Sequence, residues 1–339
     1  MRTLFAAALT LVALTAIAHV PAVASDARQA MYVNLADSLG GSFDNLTASL
    51  RGGFQGGGWE VVAVHDASGG ASCPYHARVF VLNQPAYTAA VLAHGPLAAF
   101  ALPVRVLLYE DEAGKHLATV NPLSLNRTMV AESGMESAST LMLQDVERLA
   151  AASVRGRFAR RAYGQVRERG LIGRTMGIMA GGPFAEKVKT VWSTPGAGNH
   201  DVALVAARLW NGIEHAAGTG KWQMRGIYRL DLSEQGIVLL GVSGAAMEAK
   251  SFAIVGAAGD DKRSHDRCPG IDHAAAYPIE ILVYREQGSV RVAVIDGMYR
   301  MKIFFEDAGK MKFAANMTMP GSIEDEIRGL IQAAVAPKP

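Results

Sequence analysis

"LPVRVLLYEDEAG", from Leu102 to Gly114, returns in similar form as "YPIEILVYREQG", from Tyr277 to Gly288. In each phrase aliphatic residues alternate along one segment, and a polar turn with a glycine leads into a second apolar segment, "KHLATV" or "SVRVAV". This pattern predicts an antiparallel β-hairpin, because alternate residues of a strand face the same side of a sheet. The chain of 339 residues therefore carries two copies of one hairpin.

The likeness between the copies extends upstream and downstream of the hairpins. Trp59 of the first copy matches Trp222 of the second. A helix is predicted before each tryptophan from apolar residues near i, i+3, i+7 and i+11: Phe43, Leu46, Leu50 and Phe54, and then Val202, Val205, Leu209 and Ile213. Each copy also ends in a predicted helix, with the apolar stripes Met142, Val146 and Leu149, and Ile323, Ile327 and Leu330. The sequence thus predicts a duplicated domain.

Each copy contains five predicted strands. A leading strand is predicted in "MYVNLA" and in "VKTVW", and another follows each tryptophan segment, "ARVFVLN" in the first copy and "KSFAIVG" in the second. The order β-α-β(4)-α is typical of an α+β fold in which helices cover one face of an antiparallel sheet. We therefore expect two α+β repeats.

The stretch "PYHARVFVLNQPAYTAAVLAHGPLAAFALPVRVLLYEDEAGKHLATVNP" resembles the family known as domain of unknown function 302. The residues that carry the resemblance are Asn83, Pro85, Leu102, Pro103, Tyr109, Glu110 and Gly114. Gln84 separates the asparagine from the proline, which departs from the family pattern. The second copy is more diverged, because it keeps Pro278, Tyr284 and Gly288 but has "VGAAG" at the Asn-Pro position and Arg285 in place of the glutamate.

The resemblance implies an α+β fold whose members tend to pair, and it adds no reaction. Two fused copies can bury in one chain the surface that two subunits would share. We therefore expect a pseudo-symmetric internal dimer within a monomer.

The N-terminus has the pattern of a secretory signal peptide. Arg2 precedes the apolar run "LFAAALTLVALTAIA", and "PAVAS" places Ala22 and Ala24 at the small-residue positions of a cleavage site. The run ends at Ala18 and is shorter than the roughly 20 residues of a spanning helix. We expect residues 1–24 to be removed and the mature chain to be periplasmic or secreted, with no transmembrane segment.

The arginine-rich run "RGRFARRAYGQVRERGLIGR" separates the copies. We place the first repeat at residues 25–155, a basic linker helix at 156–186 and the second repeat at 187–339. The run has few large apolar residues, which favours a solvated helix over one that binds a membrane or nucleic acid. The net charge of +2 likewise gives no reason to expect nucleic acid as a partner.

Two cysteines, Cys73 and Cys268, form a candidate disulfide, because export would permit one. Two unpaired cysteines are the alternative. In "HDRCPGIDH" the side chains of His265, Cys268 and His273 are of the types that bind zinc or copper, and a plain polar loop is the alternative.

Methionines gather in "GMYRMKIFFEDAGKMKFAANMTMPG", which we interpret as an extra hairpin of the second copy. Met311, Phe313, Ala315, Met317 and Met319 would share one strand face, and Met301, Ile303 and Phe305 would share a face of the partner strand. Met317 and Met319 are candidate ligands for Cu(I), although methionine also fills apolar cores.

These observations favour an exported, non-catalytic ligand-binding or interaction module. Its partner would be an unknown small ligand or a protein, bound in the groove between the repeats or under the Met-rich hairpin. No catalytic residue is identified and no cofactor is predicted, because the common catalytic and cofactor motifs are absent. Two alternatives stay open: an envelope protein that handles copper, zinc or thiols, and an enzyme of unrecognised class.

Overall fold

The structure is a computed structural model that describes residues 29–130, 134–167, 182–195, 199–256, 267–268, 270–305 and 314–335. The predicted signal peptide lies outside the described residues. Among the helices of the described ranges, none has both the length and the apolar character that a membrane span requires.

The first repeat forms a six-stranded antiparallel sheet. Its elements are β1 (Gln29–Asp37), α1 (Phe43–Gly56), β2 (Glu60–Ala67), β3 (Ala77–Asn83), α2 (Pro85–Leu92), the 3₁₀ helix Pro96–Ala101, β4 (Val104–Asp111), β5 (Gly114–Val120), α3 (Pro122–Met129), α4 (Glu136–Ser153) and β6 (Arg157–Arg167). The strand order is β2-β3-β4-β5-β1-β6. The predicted hairpin is β4 and β5, in which Val106 pairs with Thr119.

The second repeat forms a five-stranded antiparallel sheet. Its elements are the 3₁₀ helix Phe184–Lys187, β7 (Val188–Pro195), α5 (Asn199–His215), β8 (Arg225–Leu232), the 3₁₀ helix Ser233–Gln235, β9 (Ile237–Ser243), α6 (Ala245–Gly256), the 3₁₀ helix Ile271–Ala276, β10 (Ile279–Glu286), β11 (Ser289–Ile295), α7 (Gly297–Phe305) and α8 (Thr318–Val335). The strand order β7-β11-β10-β9-β8 repeats the order β1-β5-β4-β3-β2 of the first sheet. The predicted α+β duplication is confirmed.

The predicted apolar stripes hold the helices on one face of each sheet. The α1 stripe is buried along its length, and α1 packs against α4 and β2. In the second repeat α5 packs across β8, β9 and β10 and against α8. The two matching tryptophans tie each closing helix to its sheet, because Trp59 Nε1 donates to Asp145 Oδ2 at 2.9 Å and Trp222 Nε1 donates to Ser322 Oγ at 3.2 Å.

The two repeats contact each other reciprocally. The 3₁₀ helix Pro96–Ala101 of the first repeat packs on β9 and β10, and the 3₁₀ helix Ile271–Ala276 of the second packs on β3, β4 and β5. Strand β2 also contacts β8, its counterpart. Each 3₁₀ helix is followed by a cis X-Pro bond, Leu102-Pro103 in one repeat and Tyr277-Pro278 in the other. This exchange of equivalent contacts is the expected pseudo-symmetric internal dimer.

One predicted strand of the second repeat is wrong. "KSFAIVG" lies in α6, and the strand after the tryptophan segment is β9, "IVLLGVS". Both are short apolar runs, and periodicity alone does not separate a buried strand from a buried helix. Since β9 matches β3, the position of the Asn-Pro pair is taken by Ser243 and Ala245, and "VGAAG" is not its counterpart.

The predicted basic linker helix is wrong at its start, which is a strand. Arg157–Arg167 form β6, which pairs antiparallel with β1 and adds a sixth strand to the first sheet beyond residue 155. The edge of β1 offers hydrogen bonds to this segment, and Asp37 at the end of β1 lies 3.5 Å from Arg157 and 3.6 Å from Arg161. Residues 168–181 of the predicted linker lie outside the described residues.

The predicted Met-rich hairpin is also wrong. Met301, Ile303 and Phe305 lie in α7, which follows β11 as α3 follows β5, so this segment has a counterpart in the first repeat. Residues 299–305 of α7 are all buried, and a helix buried on all sides loses the one-faced pattern that identifies helices in a sequence. Met319 lies in α8, and Met311 and Phe313 lie outside the described residues.

Candidate functional site

A cavity lies in the second repeat, between the β10-β11 part of the sheet and the helices α7 and α8. The space that can hold water-sized molecules is about 30 Å³, and the wider gap of about 400 Å³ around it includes open solvent. The enclosed part is well below the usual volume of small-molecule sites and admits only water-sized groups. The wall is mostly apolar and includes Ile279, Val294, Met301, Ile323 and Ile327. Two charged residues, Arg300 and Glu324, line the same space.

Arg300 lies on α7 and is only 5% exposed. Its Nη2 donates to the carbonyl of Ala276 and, at 3.3 Å, to that of Pro278. The guanidinium also contacts the ring faces of Tyr277 and Phe304. Among the residues that the structure describes, its Nε has no hydrogen-bond partner. Burial lowers the pKa of Arg300, but a guanidinium stays protonated in proteins, so the cavity wall holds a buried cation.

A second arginine reaches this cluster from the first repeat. Arg105 Nη1 donates to Glu280 Oε1 at 2.8 Å and to the carbonyls of Ala276 and Pro278, each at 3.3 Å. Its guanidinium lies 4.9 Å from the centre of the Phe304 ring, and its Nε also lacks a hydrogen-bond partner within the described ranges. The two arginines therefore share the same carbonyls and flank the same ring.

The buried arginine cluster is not charge-neutral. Glu280 is the carboxylate that pairs with Arg105, and within the described residues its charge also acts on Arg300. Two guanidiniums and one carboxylate leave one positive charge. The hydroxyl of Tyr228 lies in the field of these groups, and in the described part of the chain it also has no hydrogen-bond partner.

Glu324, the second charged residue of the wall, is fully paired. Lys189 Nζ lies 2.9 Å from both carboxylate oxygens, the backbone N–H of Gly297 donates at 2.9 Å, and Arg328 lies at 3.5 Å. Lys189 also lies 2.7 Å from Asp296. Burial lowers the pKa of Lys189, but the two carboxylates outweigh this and raise it. Two cations and two anions make this side of the cavity neutral.

The charges of the cavity have no equivalent in the first repeat. Lys189 pairs with Val294 in the second sheet and Val33 pairs with Thr119 in the first, so Lys189 and Val33 occupy matching positions. Aligning α3 with α7, and α4 with α8, relates the residues of the helices in the same way. The charged residues and their apolar counterparts are Lys189 and Val33, Arg300 and Leu125, and Glu324 and Leu143. All three counterparts are buried core residues. The first repeat thus has aliphatic residues at these three positions, beside buried polar residues such as Asn126, which donates to Tyr87 and Ser139.

Sequence reasoning missed the charged residues of this site. Arg300 stands next to Met301 in a segment for which the sequence predicts a strand. A strand does not align with the helix α3, so the match of Arg300 with Leu125 cannot be recognised from that prediction. An alignment of α3 with α7 would have shown a charge in one copy at an aliphatic position of the other. Met301, which the sequence singled out, does line the cavity.

The predicted cysteine pair is present. Cys73 and Cys268 form a disulfide that joins the two repeats across 195 residues of sequence. A disulfide sulfur has no thiolate to offer a metal, so Cys268 would have to be reduced before it could act as a ligand.

The other metal candidates are scattered. His273 is buried, and its Nδ1 lies 2.8 Å from Oδ1 of Asp272. Met319 is buried, Met317 is 39% exposed, and His265 lies outside the described residues. In the part of the chain that the structure describes, no group of three or more His, Cys, Asp or Glu side chains is arranged to hold a metal. The copper or zinc site stays a prediction.

Two histidines outside the cavity make structural contacts. His65 Nε2 lies 2.5 Å from Glu248 Oε1 in the other repeat, and the N–H of Ser68 donates to the same carboxylate at 2.7 Å. His116 lies between Asp37 at 2.7 Å and Asp111 at 2.8 Å. Burial lowers the pKa of His116, but these carboxylates outweigh it and raise the pKa. With both ring nitrogens engaged, His116 offers none to a ligand.

The comparisons with known proteins concern the first repeat. Residues 36–153 match the model of the family described as Domain of unknown function DUF302. The crystal structure of an uncharacterized conserved DUF302 protein from Bacillus stearothermophilus is similar over 36% of this chain and 93% of that chain, with 16% sequence identity and a TM-score of 0.28. No curated protein matches the chain.

Proposed function

We propose that the chain is an exported, non-catalytic binding protein and that a small ligand occupies the cavity under α7 and α8. The observation that carries the proposal is the difference between the repeats: Arg300 and Glu324 line a cavity at positions where the first repeat has the buried leucines Leu125 and Leu143. Burying charge costs free energy that an apolar core avoids. Only one of the two repeats buries charged residues at these positions, and binding of a ligand there is the best explanation for that difference.

Export is supported by the disulfide and by the N-terminal pattern. A bridge between Cys73 and Cys268 would persist only in an oxidising compartment. The apolar N-terminal run has the length and the cleavage-site residues of a secretory signal.

Binding without catalysis is supported by the state of the polar groups around the cavity. Both carboxylate oxygens of Glu324 are already engaged, by Lys189, by Arg328 and by the backbone N–H of Gly297. Tyr277 has its hydroxyl 2.6 Å from that of Ser251, and burial raises its pKa to about 12. A phenol with that pKa stays protonated at neutral pH and is a weak nucleophile.

The test is a melting-temperature screen of the mature, oxidised protein against small metabolites and metal ions. A ligand that binds the native state alone raises the melting temperature whatever its chemistry. Ile323→Phe would place a ring in the cavity, and Met142→Phe makes the same change at the matching position of the first repeat. We expect the stabilisation by a true ligand to disappear in Ile323→Phe and to persist in Met142→Phe.

Two results would contradict the proposal. One is a screen in which no compound shifts the transition of the wild-type protein. The other is a ligand whose effect survives Ile323→Phe, and if that ligand were copper or zinc, the metal-handling alternative would replace the proposal.

A further inference from the structure

We infer that His116, Asp37 and Asp111 form a pH-sensitive switch in the first repeat. The imidazolium of His116 holds Asp111, at the end of β4, in place. When the ring loses a proton, Asp111 is released and the turn between β4 and β5 loosens. The switch lies outside the cavity and needs no ligand. His116 itself is buried in β5, where it pairs with Tyr109 of β4.

Both ring nitrogens of His116 face carboxylate oxygens. Nδ1 lies 2.7 Å from Oδ1 of Asp37 at the end of β1, and Nε2 lies 2.8 Å from Oδ1 of Asp111. A carboxylate only accepts hydrogen bonds, so both nitrogens must carry a hydrogen, and a neutral imidazole carries only one. The observed arrangement therefore requires the imidazolium.

Other charged and titratable groups surround the switch, on the strands and the 3₁₀ helix packed against it. Among the described residues they are Tyr109 on β4, stacked on the His116 ring, the pair of Glu110 and Lys115 on β4 and β5, Arg157 and Arg161 on β6, and Asp272 and His273 on the 3₁₀ helix Ile271–Ala276. The two arginines approach Oδ2 of Asp37, whereas His116 contacts its Oδ1. The ring therefore has its hydrogen bonds with the two aspartates.

Loss of one proton from His116 leaves a single N–H for two aspartates. The nitrogen that loses its hydrogen turns a lone pair toward a carboxylate oxygen, and that contact becomes repulsive. The side chain of Asp37 is 8% exposed and that of Asp111 is 22% exposed. Water can therefore replace the lost hydrogen bond more readily at Asp111, since an unpaired buried carboxylate is costly. The neutral ring keeps its N–H for Asp37 and releases Asp111.

The pKa directions of the switch agree with this arrangement. Burial lowers the pKa of His116, but the bonds to Asp111 and Asp37 outweigh burial and raise it. The stability that His116 contributes is therefore present at low pH and is lost as the pH rises through its raised pKa. Burial raises the pKa of Asp37, but His116, Asn34 and Arg161 outweigh burial and lower it, so its contribution is lost only as the pH falls through that lowered value. The switch thus opens on the alkaline side.

Asp111 also holds the turn that follows it. Its Oδ1 accepts from the backbone N–H of Ala113 at 2.7 Å, and in the described part of the chain His116 is the cation that contacts it. Glu112 of the same turn lies 3.4 Å from Arg267, which precedes the disulfide-bonded Cys268 of the second repeat. Release of Asp111 therefore loosens a turn that contacts the other repeat.

The experiment follows the protonation of His116 and the state of the turn in one titration. NMR spectra of the mature, oxidised protein between about pH 5 and about pH 9.5 would record the ring signals of His116 and the backbone and methyl signals of Ala113. His215, exposed at the end of α5, is the internal reference. We expect His116 to titrate at a higher pH than His215, and we expect the Ala113 signals to shift with the midpoint of His116.

Variants assign the effect to the switch. In His116→Gln the Ala113 signals should stay fixed across the range, whereas His215→Gln, at the exposed histidine, should behave as the wild type. Asp111→Asn removes one carboxylate and should lower the titration midpoint of His116. Asp231→Asn is its matched control, because Asp231 also holds a turn, accepting from the N–H of Ser233 at 3.0 Å in the other repeat. That variant should leave the midpoint of His116 unchanged.

Three results would each overturn the inference. The first is a His116 that titrates at or below the midpoint of His215 in the wild type. The second is a set of Ala113 signals that do not shift at the midpoint of His116, or that shift at the same pH in His116→Gln. The third is an unchanged His116 midpoint in Asp111→Asn. If His116→Gln fails to fold, the wild type and Asp111→Asn still decide.

Discussion

At the scale of single residues, the contact between the repeats depends on one position that has diverged in opposite directions. Arg105 and Glu280 occupy the same place in β4 and β10, and they meet each other across the contact surface. In a symmetric pair of identical domains a position that meets its own copy would bring like charges together. Arginine in one repeat and glutamate in the other give attraction instead, so the pair suits the fused chain.

The charge balance of this cluster predicts an unequal response to mutation. Glu280→Gln leaves two buried guanidiniums without a carboxylate, and the unfolding free energy should fall by about 3–5 kcal/mol. Arg105→Met leaves Arg300 beside Glu280 and still bonded to the carbonyls of Ala276 and Pro278, so its loss should be smaller by at least about 1 kcal/mol.

Urea denaturation of both variants and the wild type measures the difference. Glu280→Gln keeps the shape of the side chain, and Arg105→Met keeps most of the volume, so packing changes little in either case. A loss for Arg105→Met that equals or exceeds the loss for Glu280→Gln would show that Arg300 does not compensate for Arg105.

At the scale of elements, the sequence was sufficient wherever a segment has one buried face. The strands of both hairpins and the four large helices α1, α4, α5 and α8 were predicted from periodicity, and the structure contains them. The errors fall on segments whose surroundings decide their form. β9 and α6 are both short and apolar, α7 is buried on all sides, and β6 is a strand because β1 offers it an edge.

The 3₁₀ helix Ile271–Ala276 gives a test at this scale, because a glycine positions its start. Gly270 has φ +86°, and a Cβ there would lie 2.5 Å from the carbonyl oxygen of Phe252 in α6. Gly288, in the turn between β10 and β11, has φ +72° and nothing within 4 Å of a Cβ. The two sites therefore share the left-handed conformation and differ in the clash.

Gly288→Ala should lower the unfolding free energy by about 1 kcal/mol, from the backbone conformation alone. Gly270→Ala should lose a further 1–3 kcal/mol or so, because the backbone of α6 must move to admit the methyl group. The denaturation midpoints of the two variants give the comparison. Equal midpoints would mean that α6 and the 3₁₀ helix adapt without cost.

At the scale of the whole molecule, contacts between the repeats cross-link distant parts of the chain. The disulfide joins Cys73 to Cys268, and the pair of His65 and Glu248 is buried between the same repeats. A bridge across so many residues restricts the unfolded chain strongly, since the entropy lost on closing a loop grows with its length.

Removal of the bridge by the double substitution Cys73→Ser and Cys268→Ser should lower the unfolding free energy by about 2–5 kcal/mol. The wild type under reducing conditions should match the double variant, which controls for the serine side chains. Calorimetric or denaturant unfolding that shows no loss in either sample would mean that the bridge does not stabilise the fold.

The sequence alone determined the duplication, the class of the fold, its main strands and helices, and the candidate cysteine pair, because these depend on local periodicity and on the likeness of the two copies. Only the tertiary structure showed the pairing of Arg105 with Glu280, the edge strand β6 and the cavity beside Arg300. They depend on which residues, far apart in the chain, lie close together once both repeats have folded. Burial then decides the energetic consequence: Leu125 and Arg300 share one position of a repeated fold, and only Arg300 needs the carbonyls of Ala276 and Pro278 to satisfy its donors there.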